Sequence, residues 1–201
     1  MKSGDNVFDA ALKQAGAIRA RGMDEFFDLA KAFEFLQPVN GNRVALSIFS
    51  GGEGVLTVDA CQDAGLELAD LSAETRKKLI PVSPPWGEIP ANPFDHGVSF
   101  QFHDFNQSWD ILLNALADDP NIDCLAIQSW AMTKEIGRNN VKVFREVMKK
   151  GKPMVSWLAD PLSSKEMAGE IEKLGVPFFP SAERTVKALG TVAHYYMNRQ
   201  S

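Results

Sequence analysis

Apolar residues in the first forty positions recur three or four apart, whereas from Arg43 onward they gather into short runs separated by helical stretches. In the opening part Val7, Phe8, Ala11, Leu12 and Ala15 share one helix face between Asp5, a capping residue, and Gly16, a stop. A second helix starts near Met23 and carries Phe26, Phe27, Leu29, Ala30, Phe33 and Leu36 until Pro38 ends it. So much aromatic surface is expected to cover the following domain or a missing neighbour. Residues 1–38 therefore read as a helical extension, and the linker Pro38-Val39-Asn40-Gly41-Asn42 leads into a domain over 43–201.

Within 43–201 the spacing predicts strands over Val44–Phe49, Leu66–Leu68, Cys124–Gln128, Met154–Leu158 and Val176–Phe179. Between them it predicts helices from Val55 to Ala64, behind Ser72, from Gln107 to Asp118, from Lys134 to Lys150 and from Ser163 to Leu174, with a last helix from Ser181. Short strands that are apolar on both faces and alternate with helices imply a parallel sheet covered on both sides. The fold class is α/β: a three-layer, open five-stranded parallel sheet of flavodoxin-like order 2-1-3-4-5, with the N-terminal helical extension. Pro177 lacks a donor and puts the final strand at an edge. The connection from Pro81 to Asn106 holds five prolines, so it is not a central strand throughout, and its length marks a functional segment or an interface.

The first strand breaks at Ser50-Gly51-Gly52-Glu53-Gly54, and the helical pattern resumes at Val55. A buried strand feeding a glycine-rich turn and then a helix is the chain order of an anion site, because bare backbone approaches a ligand and the first helix amides lack internal acceptors. Ser50, Gly51, Gly52, Gly54 and Val55 are the candidate phosphate-binding residues. Glycine in a tight strand-to-helix turn is the equally ordinary structural explanation. Ligands in open α/β sheets bind at the carboxyl ends of the strands, so Ser129, Trp130 and Thr133 after the third major strand are candidates to face the same cleft. Asn92-Pro93-Phe94-Asp95 could also line it through Asn92 and Asp95, or be a self-bonded turn.

Totals narrow the chemistry. The 201 residues are 45% hydrophobic with a net charge of -5, and basic residues are interspersed with acidic ones, so nucleic acid and anionic membranes are not expected partners. No apolar run reaches the ~20 residues of a membrane span, and MKSGDN has no signal-peptide core, which makes a cytoplasmic address the default. Cys61 and Cys124 are expected as buried free thiols, and His96, His103 and His194 lack a second ligand at metal-binding spacing. No metal is expected on this chain.

The segments Ser50-Gly51-Gly52-Glu53-Gly54-Val55 with Asp59, Ala64-Gly65-Leu66-Glu67-Leu68, Leu71-Ser72-Ala73-Glu74-Thr75 with Leu79, and Asn92-Pro93-Phe94-Asp95 together resemble the flavodoxin-like ligase domain of ADP-forming acyl-CoA synthetases, relatives of succinyl-CoA synthetase. Gly175 to Arg184 with Ala188-Leu189 is similar to that domain's last strand and helix, and Asp9 to Arg19 to the segment just after a phosphorylated-histidine loop. The resemblance implies that an ATP-grasp module phosphorylates a histidine, that the phosphate passes to an acyl group which then meets CoA, and that helix amino ends stabilise the phosphohistidine. By position, the helix opening at Gly52-Glu53-Gly54-Val55 is one of them.

Departures from the family pattern set limits. The Ser-His-Thr-Gly loop is absent before Gly4, as are the ATP-grasp and CoA-binding modules, so this chain alone is expected to be inactive and to bind no cofactor. CoA, ATP or ADP and Mg are expected only in the complete enzyme, and the partners implied are the preceding CoA-binding/phosphohistidine domain and the ATP-grasp domain. Glu53 replaces a small or proline residue, so it either points to solvent or abolishes phosphate binding. His96 stands where the family has an apolar residue. The competing function is a non-catalytic module that holds a partner through Trp86, Phe94, Phe100, Phe102 and Phe105.

Overall fold

The computed structural model describes residues 2–86, 90–130, 133–159 and 165–200. Six parallel strand segments form one sheet: β1 (Arg43–Ile48), β2 (Glu67–Leu68), β3 (Phe94–Asp95), β4 (Cys124–Ser129), β5 (Met154–Leu158) and β6 (Phe178–Phe179). Their order is β2-β1-β4-β5-β6, with β3 also on β1. β2 pairs with Arg43 and Val44, and β3 with Ser47 and Ile48, so the two short segments lie end to end along one edge of β1. Five strand positions are therefore filled by six segments, and β6 is an edge.

Asn92 joins the split edge. Its Nδ2 donates to the carbonyls of Val44 (2.8 Å) and Ala69 (3.0 Å), and its Oδ1 accepts from the amide of Leu46 (2.9 Å). A side chain thus continues the ladder where the backbone leaves it, and the proline-rich connection re-enters the sheet as β3. Short as β3 is, it adds a sixth segment within the five expected strand positions, and Asn92 supplies bonds that Pro90 and Pro93 cannot.

Nine α-helices occur among the described residues: α1 (Lys2–Gln14), α2 (Met23–Phe35), α3 (Gly51–Asp63), α4 (Ala73–Leu79), α5 (His96–Ser99), α6 (Phe105–Asp118), α7 (Lys134–Met148), α8 (Lys165–Glu172) and α9 (Ala182–Gln200). Alternate strand residues point to opposite cores. Ala45, Leu125, Ile127 and Met154 meet α4, α6, α7 and α8, whereas Val44, Leu46, Cys124, Ala126, Val155 and Trp157 meet α2, α3 and α9. Ser72 caps α4 and Asp104 caps α6, their side chains accepting from the amides of Thr75 and Gln107.

The N-terminal pair divides. α2 belongs to the body of the domain: Ala32 and Leu36 enter the core beside α9, Asp28 takes both arms of Arg184 (2.6 and 2.8 Å), and Lys31 reaches Glu172 at 2.7 Å. Phe26 and Phe27, by contrast, remain 55% and 60% exposed. Helix α1 begins at Lys2, ahead of the expected cap at Asp5, and Gly16 ends its turn at φ 68°.

The first helix of the sheet starts at Gly51, four residues before Val55, because none of Gly51, Gly52 and Gly54 has the positive φ that would hold a turn open. The glycine run is the first turn of α3.

Candidate functional site at the amino end of α3

Ser50 is the N-cap of α3, and the first intrahelical bond runs from the Gly54 amide to the Ser50 carbonyl at 2.9 Å. The donors left over belong to Gly51, Gly52 and Glu53, and among the described residues nothing accepts from them. Gly54 and Val55 amides are spent inside the helix, which shifts the set of open donors one residue toward the amino end.

The three glycines serve different ends. A Cβ on Gly54 would lie 2.3 Å from Cδ1 of Ile48, so that glycine lets helix and strand pack. Additions at Gly51 and Gly52 would meet nothing closer than 3.7 and 3.9 Å, and both residues are exposed. Neither backbone conformation nor internal packing requires them to be bare. Gly54→Val is accordingly expected to lower stability by about 1–3 kcal/mol in urea unfolding, and Gly51→Ala to leave it within about 0.5 kcal/mol.

Ser50-Gly51-Gly52-Glu53 spells a capping box, in which serine and glutamate would close the helix end on itself. It is not formed. The Ser50 side chain makes no cap bond, and Glu53 turns over the strand ends, where Oε1 accepts from Trp157 Nε1 (2.8 Å) and Oε2 from Gln128 Nε2 (2.5 Å). Gln128, 1% exposed, in turn accepts the Phe49 amide through Oε1 at 2.7 Å. Glu53 thus does not point to solvent, as one of the two expectations had it: it faces inward over the strand ends, and among the described residues its side chain does not close the start of α3. Sequence reading missed Gln128 and Trp157 as its holders; a polar residue closing an otherwise apolar strand was the available signal.

The other candidates separate. Asp95, the N-cap of α5, accepts from the Val98 amide at 3.1 Å, and its Oδ2 is the atom 3.7 Å from where a Gly51 Cβ would stand. Ser50, Gly51, Gly52 and Asp95 therefore share one rim. Val55, 63% exposed, flanks it from the next turn. Asn92 spends its side chain on the sheet, and Ser129 is fully buried with Oγ 2.8 Å from Ser156 Oγ, so neither lines the rim. Thr133 caps α7, and Trp130 stacks edge-on against Phe49 at 5.5 Å.

His96 is buried among Phe49, Phe105 and Trp109, with ring centroids 5.0–5.4 Å away, and its Nε2 lies 2.9 Å from Ser108 Oγ. Burial pushes its pKa down to about 3. It is a neutral core residue. Both cysteines are free and buried, and burial raises both thiols, Cys61 to about 12. Among the described residues no group of three or more potential ligands could hold a metal ion, and no helix is long and apolar enough to cross a membrane.

Fold and rim together define an open α/β domain whose first sheet helix begins bare at the carboxyl edge. The Ligase-CoA domain model matches residues 44–201, and the chain belongs to that family. Acetate–CoA ligase [ADP-forming] II of Archaeoglobus fulgidus is 31% identical over 199 residues, covering 97% of this chain and 29% of that protein. The alpha subunit of acetate–CoA ligase [ADP-forming] II of Pyrococcus furiosus is 32% identical, over 90% of this chain and 40% of the subunit. A crystal structure of PH0766 from Pyrococcus horikoshii superposes with a TM-score of 0.82 at 28% identity, over 96% of this chain and 44% of that one. A dinucleotide-forming acetyl-coenzyme A synthetase 1 from Ca. Korarchaeum cryptofilum, in complex with phosphate and ADP, shares the fold at TM-score 0.77 and 20% identity. The chain thus spans roughly three to four tenths of the curated relatives it matches.

Proposed function

We propose that this chain supplies one part of an ADP-forming acyl-CoA synthetase, an acid–thiol ligase, in which the amino end of α3 stabilises the negative charge of a phosphohistidine or acyl phosphate during phosphoryl transfer. The observation that carries the reading is the unclosed helix end: Ser50 and Glu53 are both present to cap it, yet the amides of Gly51, Gly52 and Glu53 find no acceptor among the described residues. Donors fixed by a helix need no reorganisation as charge develops, which is the property that speeds such a transfer. The histidine, the ATP-grasp module and the CoA-binding domain come from partner modules, with ATP or ADP, CoA and Mg bound there, in a cytoplasmic setting. The chain alone does not turn over.

Three of the five aromatic residues of the rival interaction surface face inward. Phe94 is 5% exposed, and Phe100 and Phe105 pack around Phe49, at 6.5 and 6.0 Å between centroids. That weakens a purely adhesive reading.

Titration of the chain with inorganic phosphate, followed by backbone amide shifts, tests the proposal. Saturable shifts at Gly51, Gly52 and Glu53 with at best millimolar affinity are expected, as one helix end without its neighbours provides only a few donors. Shifts elsewhere with none at these three residues would overturn it.

A further inference from the structure

Beside β3 the same rim carries a groove of about 220 Å³, walled by Pro84, Pro90, Pro93 and Val98, with Trp86 and Asp95 also on its surface. Trp86 is 63% exposed and meets the half-exposed Phe102 edge-on at 5.0 Å, leaving much of its indole to solvent. Asp95 is the single charged residue among the described residues lining the groove, and none of the described cations pairs with it. Of its oxygens, Oδ1 accepts the Val98 amide, while Oδ2 turns toward Gly51.

That placement poses a charge conflict. An anion at these amides would lie beside a carboxylate whose repulsion works against it, and among the described residues no side chain of the rim compensates. The requirement is a positive group that touches both Asp95 and the anion. The groove's chemistry says which one: an exposed indole face and proline walls suit the flat, weakly hydrated guanidinium and its apolar stem better than a compact ammonium, and a carboxylate accepts its paired donors.

We infer that the groove is a docking surface for a partner segment that inserts an arginine between Trp86 and Asp95, completing the anion site with a cation that none of the described residues brings to it. The inference rests on the phosphate reading for the anion, and on the groove alone for the arginine.

N-acetyl-arginine amide, added to the full chain without phosphate, is the probe, read at the Trp86 indole N–H and at the Val98 amide that reports on Asp95. Saturable shifts at both are expected in the millimolar range, weakened at least fivefold in Trp86→Ala and in Asp95→Asn, which keeps the cap on α5, and retained in Asp95→Glu. Thermal melts of each variant establish that it is folded. Added phosphate is expected to tighten arginine binding at least twofold. Equal binding of N-acetyl-leucine amide, or binding indifferent to Asp95→Asn, overturns the inference. Arginine shifts at Trp86 and Val98, with phosphate silent at Gly51 to Glu53, would leave the groove standing and remove the phosphate reading instead.

Discussion

Asn92→Ala is expected to cost about 3 kcal/mol of folding stability, because it strands three backbone groups of the sheet at once. The amide of Leu46 and the carbonyls of Val44 and Ala69 all bond to that one side chain, and each such lost hydrogen bond is worth about 1 kcal/mol. Asn92→Asp is expected to do no better. It retains an acceptor for Leu46 but offers the two carbonyls a carboxylate in place of a donor. Urea unfolding at neutral pH measures both, as a lower midpoint at unchanged slope. A loss below about 1 kcal/mol for the alanine variant would mean that β3 is held by its own pairing with Ser47 and Ile48 rather than by Asn92. The same variant reaches the rim, since the junction that seats β3 also places Asp95 opposite Ile48.

Acid is expected to unfold the protein through His96 before its carboxylates titrate. The Ser108 hydroxyl donates to the Phe105 carbonyl at 3.1 Å and so accepts from His96 Nε2–H, which leaves Nδ1 as the site for a second proton; that atom is buried and has no partner among the described residues. Burial accordingly lowers the folded pKa from 6.5 to about 3. Above pH 6.5 the imidazole is neutral in both states and pH has no effect through it. Between 6.5 and 3 the unfolded chain binds a proton that the folded one refuses, so stability falls as pH falls, approaching about 1.4 kcal/mol per pH unit. His96→Phe keeps an aromatic ring in the cluster and leaves Ser108 its bond to Phe105. It is expected to abolish that slope between pH 6 and pH 5 in urea titrations. An unchanged slope in that window would remove His96 as its source, because Asp119 and Asp123, whose carboxyls hydrogen bonds hold below the usual range despite their partial burial, lose stability only as pH falls through the unfolded value of 3.8 and below.

Much of this architecture was legible from local pattern. Strand cores such as Cys124 to Gln128, caps such as Ser72 and stops such as Gly151, at φ 76°, are decided by neighbours within a few residues, and those elements stand where their periodicity puts them. The strand-to-helix order likewise points to the carboxyl rim beside β1. What local pattern could not supply were pairings across the chain. Ser50-Gly51-Gly52-Glu53 reads as a self-closing helix start, and only the ends of β4 and β5, 75 and 104 residues further on, draw Glu53 away from it.

Asn92 and Asp95 show the same division at one remove. Three residues apart, they form a single turn motif in the sequence, yet one is consumed by the sheet and the other turns to Gly51, because Asn92 falls at the gap between two strand segments while Asp95 falls opposite Ile48, the last residue of β1. On its own the sequence settled a parallel α/β domain with a glycine-rich helix start at the carboxyl edge of β1, since periodicity, glycine placement and capping residues are short-range properties. The folded chain alone decided which donors stay open and which carboxylate faces them, because hydrogen bonds between residues distant along the chain choose among side-chain positions that local sequence leaves equivalent.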